Sequence, residues 1–309
     1  MKKVNIVDLM LLLLLFFLKI LGVQAQQEPN FTQYLYNMNV LNPAYAGTKD
    51  AISLGFQGRS QWMGVDGAPQ TQTLSIHAPV TDYVGAGFSV IHDAIGPVSQ
   101  TDINGDFSYK LEVGRFSYLT LGMKLGASFM SVDDLEFIEA GDPLDETMQL
   151  TLLNVGIGAY YYGDQFYVGI SSPNLLESKY IKGTAGVYST AKDKIHLYLI
   201  GGYVFDLNYM KGWKVKPTFL LRAVQGAPLS FDISTHIWYN EKLSAGIGYR
   251  YEDSMNLSFS FRTESNFTIG YAYDYTLTHL NDFNSGSHEL FLQYDFDLKA
   301  RLIPEPRFF

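Results

Sequence analysis

Cysteine is absent from the 309 residues of this chain. A lipoprotein anchor, which needs a cysteine beside the cleavage site, is therefore excluded, and no disulfide framework supports the fold or indicates the compartment. After residue 25, no stretch is long and apolar enough to form a transmembrane helix. Basic residues number 22 against 31 acidic ones, and the net charge of −9 without a basic patch argues against a nucleic-acid partner.

The first residues have the pattern of a secretory signal peptide. Two lysines follow the initiating methionine, an apolar run covers 9–18, and small residues at 23–25 offer a cleavage site. A single membrane-anchoring helix is the alternative, but the apolar core is short and ends at Lys19. The pattern predicts a signal peptide over 1–25 that is cleaved during export. The exported chain then either stays soluble or spans an outer membrane as a barrel.

Alternation of apolar with polar or small residues is repeated four times between Leu243 and Leu298, with Phe291 as an apolar residue on the polar side of the last repeat. The apolar positions are Leu243, Ala245, Ile247, Tyr249 and Tyr251; Leu257, Phe259 and Phe261; Phe267, Ile269, Tyr271, Tyr273 and Tyr275; and Leu290, Leu292, Tyr294, Phe296 and Leu298. A period of two indicates strands with one apolar and one polar face. An apolar face this rich in aromatic residues is typical of a transmembrane β-barrel and is not needed in a soluble two-sheet sandwich, which is the alternative.

The same pattern predicts the fold class as all-β, an outer-membrane β-barrel of about 14 antiparallel strands with a short N-terminal plug or rim segment. The predicted strands cover 52–62, 70–80, 83–96, 99–113, 115–132, 152–163, 165–175, 194–207, 213–226, 228–240, 242–252, 254–265, 266–278 and 286–298. Every second connection is short, as expected for periplasmic turns, and the others include long loops. The barrel therefore spans 52–298, preceded by a periplasmic or lumenal segment at 26–51. Prolines 304 and 306 prevent the tail, 299–309, from continuing the last strand.

Charged residues on the strands fall on the opposite parity from the apolar ones, which predicts that they face the lumen. On the lipid side an Arg or Lys near the bilayer midplane would cost about 2–4 kcal/mol. The candidate lumen network consists of Arg59, Arg222, Asp232, Arg250, Arg262 and Asp274. These residues could line a solute path or form a buried network that closes the barrel, and the sequence leaves both readings open.

The segment at 26–51 mixes aromatic residues with Asn, Pro and Gly. It cannot face lipid, because its backbone groups would lack hydrogen-bond partners there. We expect it to lie in the lumen as a plug or along the periplasmic rim. The candidate plug or partner-contact residues are Phe31, Tyr34, Tyr36, Asn42, Pro43 and Tyr45.

Sequence motifs for chemistry are missing: there is no HExxH, P-loop, CxxC or GxSxG. The six histidines have no metal-ligand spacing, and the acidic stretch 133–146 lacks the order of a calcium loop. Paired glycines such as Gly156 and Gly158 lie within strands, where they leave room in the lumen for bulky neighbours. We therefore predict no catalytic, metal or cofactor-binding residues and no enzymatic activity.

Short motifs distributed along the chain resemble one family. They begin with 28–37 and Asn42-Pro43-Ala44-Tyr45-Ala46-Gly47, continue at 59–62, 67–69, 88–97, 172–176 and 221–228, and end at 270–275, 284–289 and 306–309. In order and spacing they resemble the PorP/SprF family of the type IX secretion system of Bacteroidetes. The resemblance implies an outer-membrane barrel that serves protein secretion, gliding motility or both. It also implies two kinds of protein partner: a large secreted adhesin with a C-terminal sorting domain, and other type IX secretion components. Outer-membrane lipid would surround the barrel.

The leading interpretation is thus a non-enzymatic, cofactor-free outer-membrane component that assists export or surface attachment of an adhesin. The alternative is an outer-membrane channel or transporter for small or hydrophobic solutes. An open, ion-conducting pore would favour the channel.

Overall fold

A computed structural model describes residues 30–132, 148–176, 179–184, 187–192, 194–207, 209–224 and 227–298. The predicted signal peptide at 1–25, the acidic stretch 133–146 and the C-terminal tail 299–309 lie outside these residues. No helix among the described residues has the length and apolarity needed to cross a bilayer.

The described chain forms one large antiparallel sheet that closes on itself. Its strands are β1 Ala51–Ser60, β2 Gln70–Pro79, β3 Val84–Ile95, β4 Val98–Gly114, β5 Ser117–Val132, β6 Met148–Gly163, β7 Phe166–Ser172, β10 His196–Tyr203, β11 Phe205–Asp206, β12 Trp213–Val224, β13 Ser230–Tyr239, β14 Leu243–Arg250, β15 Ser254–Arg262, β16 Phe267–Thr276 and β17 Ser287–Asp297. The short β11 continues β10 along β12, so the described residues contribute fourteen barrel strands. Strands β8 Lys179–Thr184 and β9 Val187–Lys192 form a separate hairpin within one connection.

The barrel closes between its first and last strands, where β1 pairs with β17 from Ala51–Asp297 to Ser60–His288. The predicted closed barrel of fourteen antiparallel strands is confirmed, including the closing edge. Each predicted strand overlaps one barrel strand. The main differences concern β6, which begins at Met148 rather than 152, and β7, which ends at Ser172 rather than 175. The next residue, Pro173, has no backbone N–H to donate to a sheet.

Side chains alternate between the two faces of the wall as the sequence pattern predicts. On β14, Ile247 is 64% exposed on the outer face, whereas Arg250 on the opposite parity is 4% exposed inside the barrel. The outer face carries apolar side chains over its whole circumference, and the lumen carries polar and charged ones together with a group of aromatic and aliphatic side chains. This is the inverse of a soluble core and suits a wall solvated by lipid.

Connections of two kinds define the two rims. The rim from which β1 starts carries the turns at 80–83, 115–116, 164–165, 207–212, 240–242 and 263–266. Among the described residues, the opposite rim carries the long connections at 61–69 and 277–286, together with several short ones. Because barrels of this kind have short turns in the periplasm and longer loops outside, we call the first the inner rim and the second the outer rim.

Candidate functional site

The lumen is occupied by the chain's own N-terminal part. Residues 30–46, called the lumenal segment below, form three short helices at Tyr34–Tyr36, Met38–Leu41 and Pro43–Tyr45. Among the candidate plug residues, Phe31, Tyr34, Asn42, Pro43 and Tyr45 are buried, and Tyr36 is half-buried. The main apolar cluster of the molecule therefore lies inside the barrel, between this segment and the wall.

Aromatic rings of the segment pack on rings of the wall. Tyr36 stacks on Phe291 of β17 with ring centroids 3.8 Å apart. Tyr45 meets Tyr160 of β6 edge-on at 5.5 Å and His77 of β2 at 5.3 Å. Each such aromatic pair is worth about 0.5–1.5 kcal/mol beyond the area that it buries.

Polar atoms of the segment also find partners in the wall. The Asn37 amide donates to Gln57 Oε1 at 3.1 Å, and Ser75 Oγ donates to Asn37 Oδ1 at 2.9 Å. The backbone carbonyl oxygens of Leu41 and Ala46 accept hydrogen bonds from Ser171 and Ser108. Since a buried polar group without a partner is costly, these bonds select one position of the segment in the lumen.

Glycines of the wall allow the backbone of the segment to approach closely. A Cβ atom at Gly85 would overlap the Ala46 carbonyl oxygen, and one at Gly122 would overlap the Ala44 backbone nitrogen. At Gly158 it would overlap the side-chain oxygen of Asn42. The sequence interpretation assigned such glycines to making room for bulky wall side chains. Their contact with the segment depends on the tertiary structure.

We predict that Gly122→Val displaces the segment from β5, because the added side chain would need the space of the Ala44 backbone. The expected result is a lower unfolding temperature and increased protease cleavage within 30–46. Gly105→Val on the neighbouring strand is the matched control, because the nearest atom to its Cβ is Leu125 O at 3.8 Å. Limited proteolysis in detergent measures both. Equal behaviour of the two variants would contradict the prediction.

A buried ion cluster holds the segment to the closing seam of the barrel. Arg59 of β1 contacts Asp274 of β16 at 2.6 Å and Glu289 of β17 at 2.9 Å, and all three side chains are at most 4% exposed. Glu289 also accepts the backbone N–H groups of Thr32 at 2.8 Å and Gln33 at 2.6 Å. Charge-assisted bonds of this kind are stronger than neutral ones, so three strands and the segment are joined at one point.

The other predicted network residues form separate contacts. Arg250 Nε donates to Asp232 at 2.9 Å across the β13–β14 pair. Arg262 lies nearer the inner rim and contacts Asp295 at 3.1 Å, while Arg222 Nη2 donates to Ser230 at 3.2 Å. Arg250 is also close enough to Asp274 to interact with it electrostatically, which connects this pair to the cluster around Arg59.

Further charged residues of the lumen lie outside the candidate network. They include Glu289, Asp295, Lys49 and Lys216, and the pair formed by Lys124 Nζ and Asp106 Oδ1 at 2.8 Å. Strand parity could have identified Glu289 and Asp295, because both alternate with the apolar residues of the last strand.

The lumenal segment runs along much of the barrel. Thr32 and Gln33 are bound by residues near the outer ends of β1, β16 and β17. Lys49, which follows the segment, contacts Asp295 near the inner end of β17 at 3.8 Å. The chain therefore descends through the lumen towards the inner rim and then turns into β1. Within the described ranges, no group of three or more His, Cys, Asp or Glu side chains is arranged to hold a metal ion.

A closed barrel with an apolar outer face and a lumen occupied by its own N-terminal segment defines a protein of the outer-membrane β-barrel class. The chain belongs to the PorP/SprF family: the family described as "Type IX secretion system membrane protein PorP/SprF" matches residues 23–294. The predicted family is thereby confirmed. No curated protein matches the chain.

Solved structures with the same fold include several outer-membrane barrels. A Pseudomonas aeruginosa FadL homologue is 12% identical, with a TM-score of 0.50 over 88% of this chain and 95% of that one. The Ralstonia pickettii toluene transporter TbuX is 11% identical, with a TM-score of 0.52 over 84% and 93%. The TodX deltaS2S3 mutant, a monoaromatic hydrocarbon channel, is 12% identical, with a TM-score of 0.51 over 85% and 94%. At these identities the likeness concerns the fold alone.

Proposed function

We propose that this protein is a non-enzymatic component of type IX secretion that assists the export or surface attachment of a large adhesin. Its partners would be an adhesin with a C-terminal sorting domain, other type IX secretion components and the lipid around the barrel. The chain would reach the outer membrane through a signal peptide cleaved after residue 25. Gliding motility would depend on it where the adhesin drives movement.

The occupied lumen is the observation that supports docking rather than conduction. The lumenal segment fills the barrel with aromatic and backbone contacts to opposite walls, at Phe291 on one side and at Gly122 and Tyr160 on the other. A folded or extended cargo would need this space. We infer that the protein works through its outer loops or its inner rim, as an attachment point for other proteins.

Deletion of the gene in the native host tests this proposal. We expect loss of one large surface protein from shaved intact cells, measured by mass spectrometry, with uptake of small solutes unchanged. Re-expression of the natural chain should restore the surface protein. A solute-uptake defect with an intact surface proteome would favour the alternative, a channel or transporter, and would refute the secretion role.

A further inference from the structure

The connection between β1 and β2, residues 61–69, surrounds a cavity of about 450 Å³ at the outer rim. This volume lies within the range of about 300–1,000 Å³ that is usual for small-molecule sites. The cavity is lined by residues of the connection itself and by Ser60, Gln70 and Ala94 at the outer ends of β1, β2 and β3. The lumenal segment does not contribute to this lining, so the cavity is separate from the plugged lumen.

Backbone hydrogen bonds hold this connection in one conformation. The Met63 N–H donates to Gly286 O at 2.9 Å, and the Met63 carbonyl oxygen accepts the Ser285 N–H at 2.8 Å. On the other side, the Gly96 N–H donates to Gly67 O at 2.9 Å. The connection is therefore joined to two neighbouring connections of the outer rim, and a ligand would bind without first having to order it.

Trp62 has an unusual backbone conformation within this connection, with a φ of +45°. For a bulky residue this left-handed conformation is a strained exception, and such exceptions cluster at functional sites. The Trp62 N–H donates to Ser287 Oγ at 3.1 Å, which stabilises the conformation. Trp62 is half-buried and lines the cavity, where its indole ring supplies a flat apolar face for a ligand.

The polar groups of the lining include both donors and acceptors. The side chains of Gln61, Asp66 and Gln70 have no hydrogen-bond partner within the described part of the chain. The backbone N–H groups of Gly64, Asp66 and Gly67 are equally unpaired there. The cavity lining contains no Lys or Arg. One ligand could therefore both donate to and accept from this cavity, next to an apolar ring.

This combination of groups favours one class of ligand. A phosphate accepts hydrogen bonds only, and the Asp66 carboxylate would repel it. A guanidinium or ammonium group donates only, and it would leave the backbone N–H groups without acceptors. A sugar ring carries hydroxyl groups that both donate and accept, and its C–H face is apolar enough to lie on the Trp62 indole.

The level of the cavity in the wall also suits a sugar. Across β1, β2 and β3, the outward-facing row of Phe56, Leu74 and Val90 is apolar. The next outward-facing row towards the outer rim contains Gln72 and His92, and the cavity begins one row further. The cavity therefore lies beyond the apolar band, at the level of the lipid headgroups. Sugar headgroups of outer-leaflet lipids and surface polysaccharides are found at this level of an outer membrane.

We propose that this cavity binds a neutral sugar ring of a glycan at the outer surface. The ring would stack on Trp62, and its hydroxyl groups would bind the Asp66 carboxylate, the amides of Gln61 and Gln70 and the unpaired backbone N–H groups. The headgroup of an outer-leaflet glycolipid and a surface polysaccharide both present this chemistry. The site does not depend on the secretion role and would attach the barrel to the glycan layer around it.

Binding of purified glycans to the folded full chain tests the proposal. The probes are lipooligosaccharide from the host, the oligosaccharide released from it by mild acid, and the surface polysaccharide of the host. Isothermal titration calorimetry in a detergent without sugar groups should show binding of the released oligosaccharide, which identifies the lipid headgroup as the source, or of the polysaccharide, which identifies the surface glycan. The affinity for a neutral ring should be the same at low and high salt. Binding of the intact lipid alone, binding that high salt abolishes, or no binding overturns the proposal.

Variants of the connection locate the binding at the cavity. Trp62→Ala and Asp66→Ala should each weaken binding about fivefold or more, whereas Trp62→Phe keeps an aromatic face and should retain part of the affinity. Trp213→Ala is the matched control, because Trp213 lies at the inner end of β12 and its loss should leave the affinity unchanged. Heat-dependent mobility in gels checks that each variant is a folded barrel. Unchanged affinity in both Trp62→Ala and Asp66→Ala would mean that the glycan binds elsewhere and would overturn the proposal.

Discussion

Removal of residues 30–46 is expected to convert a closed barrel into a conducting pore. The lumenal segment contributes a large share of the apolar side chains inside the barrel and packs on wall residues such as Tyr160 and Leu220, while much of the remaining lumen wall is polar or charged. Without the segment, water and ions would fill the space between opposite walls. We expect the natural chain to be silent in planar bilayers and the deletion variant to show stable stepwise conductance.

The deletion must leave a folded barrel for this result to be meaningful. The closing seam keeps its ten register pairs from Ala51–Asp297 to Ser60–His288, and the contacts of Arg59 with Asp274 and Glu289 join wall to wall. Retention of the folded barrel is checked by its heat-dependent mobility in gels and by its β-sheet circular dichroism. A variant that passes both checks and still does not conduct would refute the plug.

Replacing Arg59 by methionine is expected to cost about 3–5 kcal/mol of stability, because it leaves two buried carboxylates without their cation. The bonds from Glu289 to Thr32 and Gln33 would remain, but the neighbouring carboxylates would repel each other. The measurement is the free energy of unfolding in urea with detergent. We also expect increased conductance, since the same cluster holds the upper part of the segment.

A surface control and a set of compensating changes test whether the loss of stability in Arg59→Met comes from the buried charges. Lys242→Met breaks an ion pair with Glu264 at the inner rim, where the two side chains are 46% and 86% exposed. Exposed pairs contribute about 0–1 kcal/mol, so this control should be nearly neutral. When Asp274→Asn and Glu289→Gln are added together to Arg59→Met, they remove the two unpaired carboxylates and keep a similar side-chain volume. We expect this to restore part of the free energy of unfolding. An Arg59→Met protein as stable as the Lys242→Met protein would contradict the role of the cluster.

Strand positions were predictable because they depend on local sequence. Leu243 to Tyr251 and Phe267 to Tyr275 alternate with a period of two, and the structure places these apolar residues on the lipid side. The early end of β7 was not predicted: the predicted strand ran to 175, whereas Pro173 and its close approach to Gly156 end the strand at Ser172. The hairpin β8–β9 was also missed, because it lies within a segment interpreted as an outer loop.

The candidate site was less accessible to sequence analysis. The alternation of apolar and polar residues along the strands indicated that Arg59 and Asp274 face the lumen. It did not indicate that Glu289 completes their cluster. The contact between Thr32 and Glu289 joins residues 257 positions apart, and no local pattern encodes such a pairing. The role of Gly85 and Gly122 depends in the same way on a segment far away in the chain.

The sequence by itself determined the class of fold, the number of strands and the family, and its alternation predicted that strand charges such as Arg59 and Arg250 face the lumen. It could do so because lipid outside and water inside impose a simple alternation on each strand independently. Only the tertiary structure decided what occupies the lumen and which charges pair. These features arise when strands and the lumenal segment meet across the closed barrel, and the free energy of each contact depends on both partners.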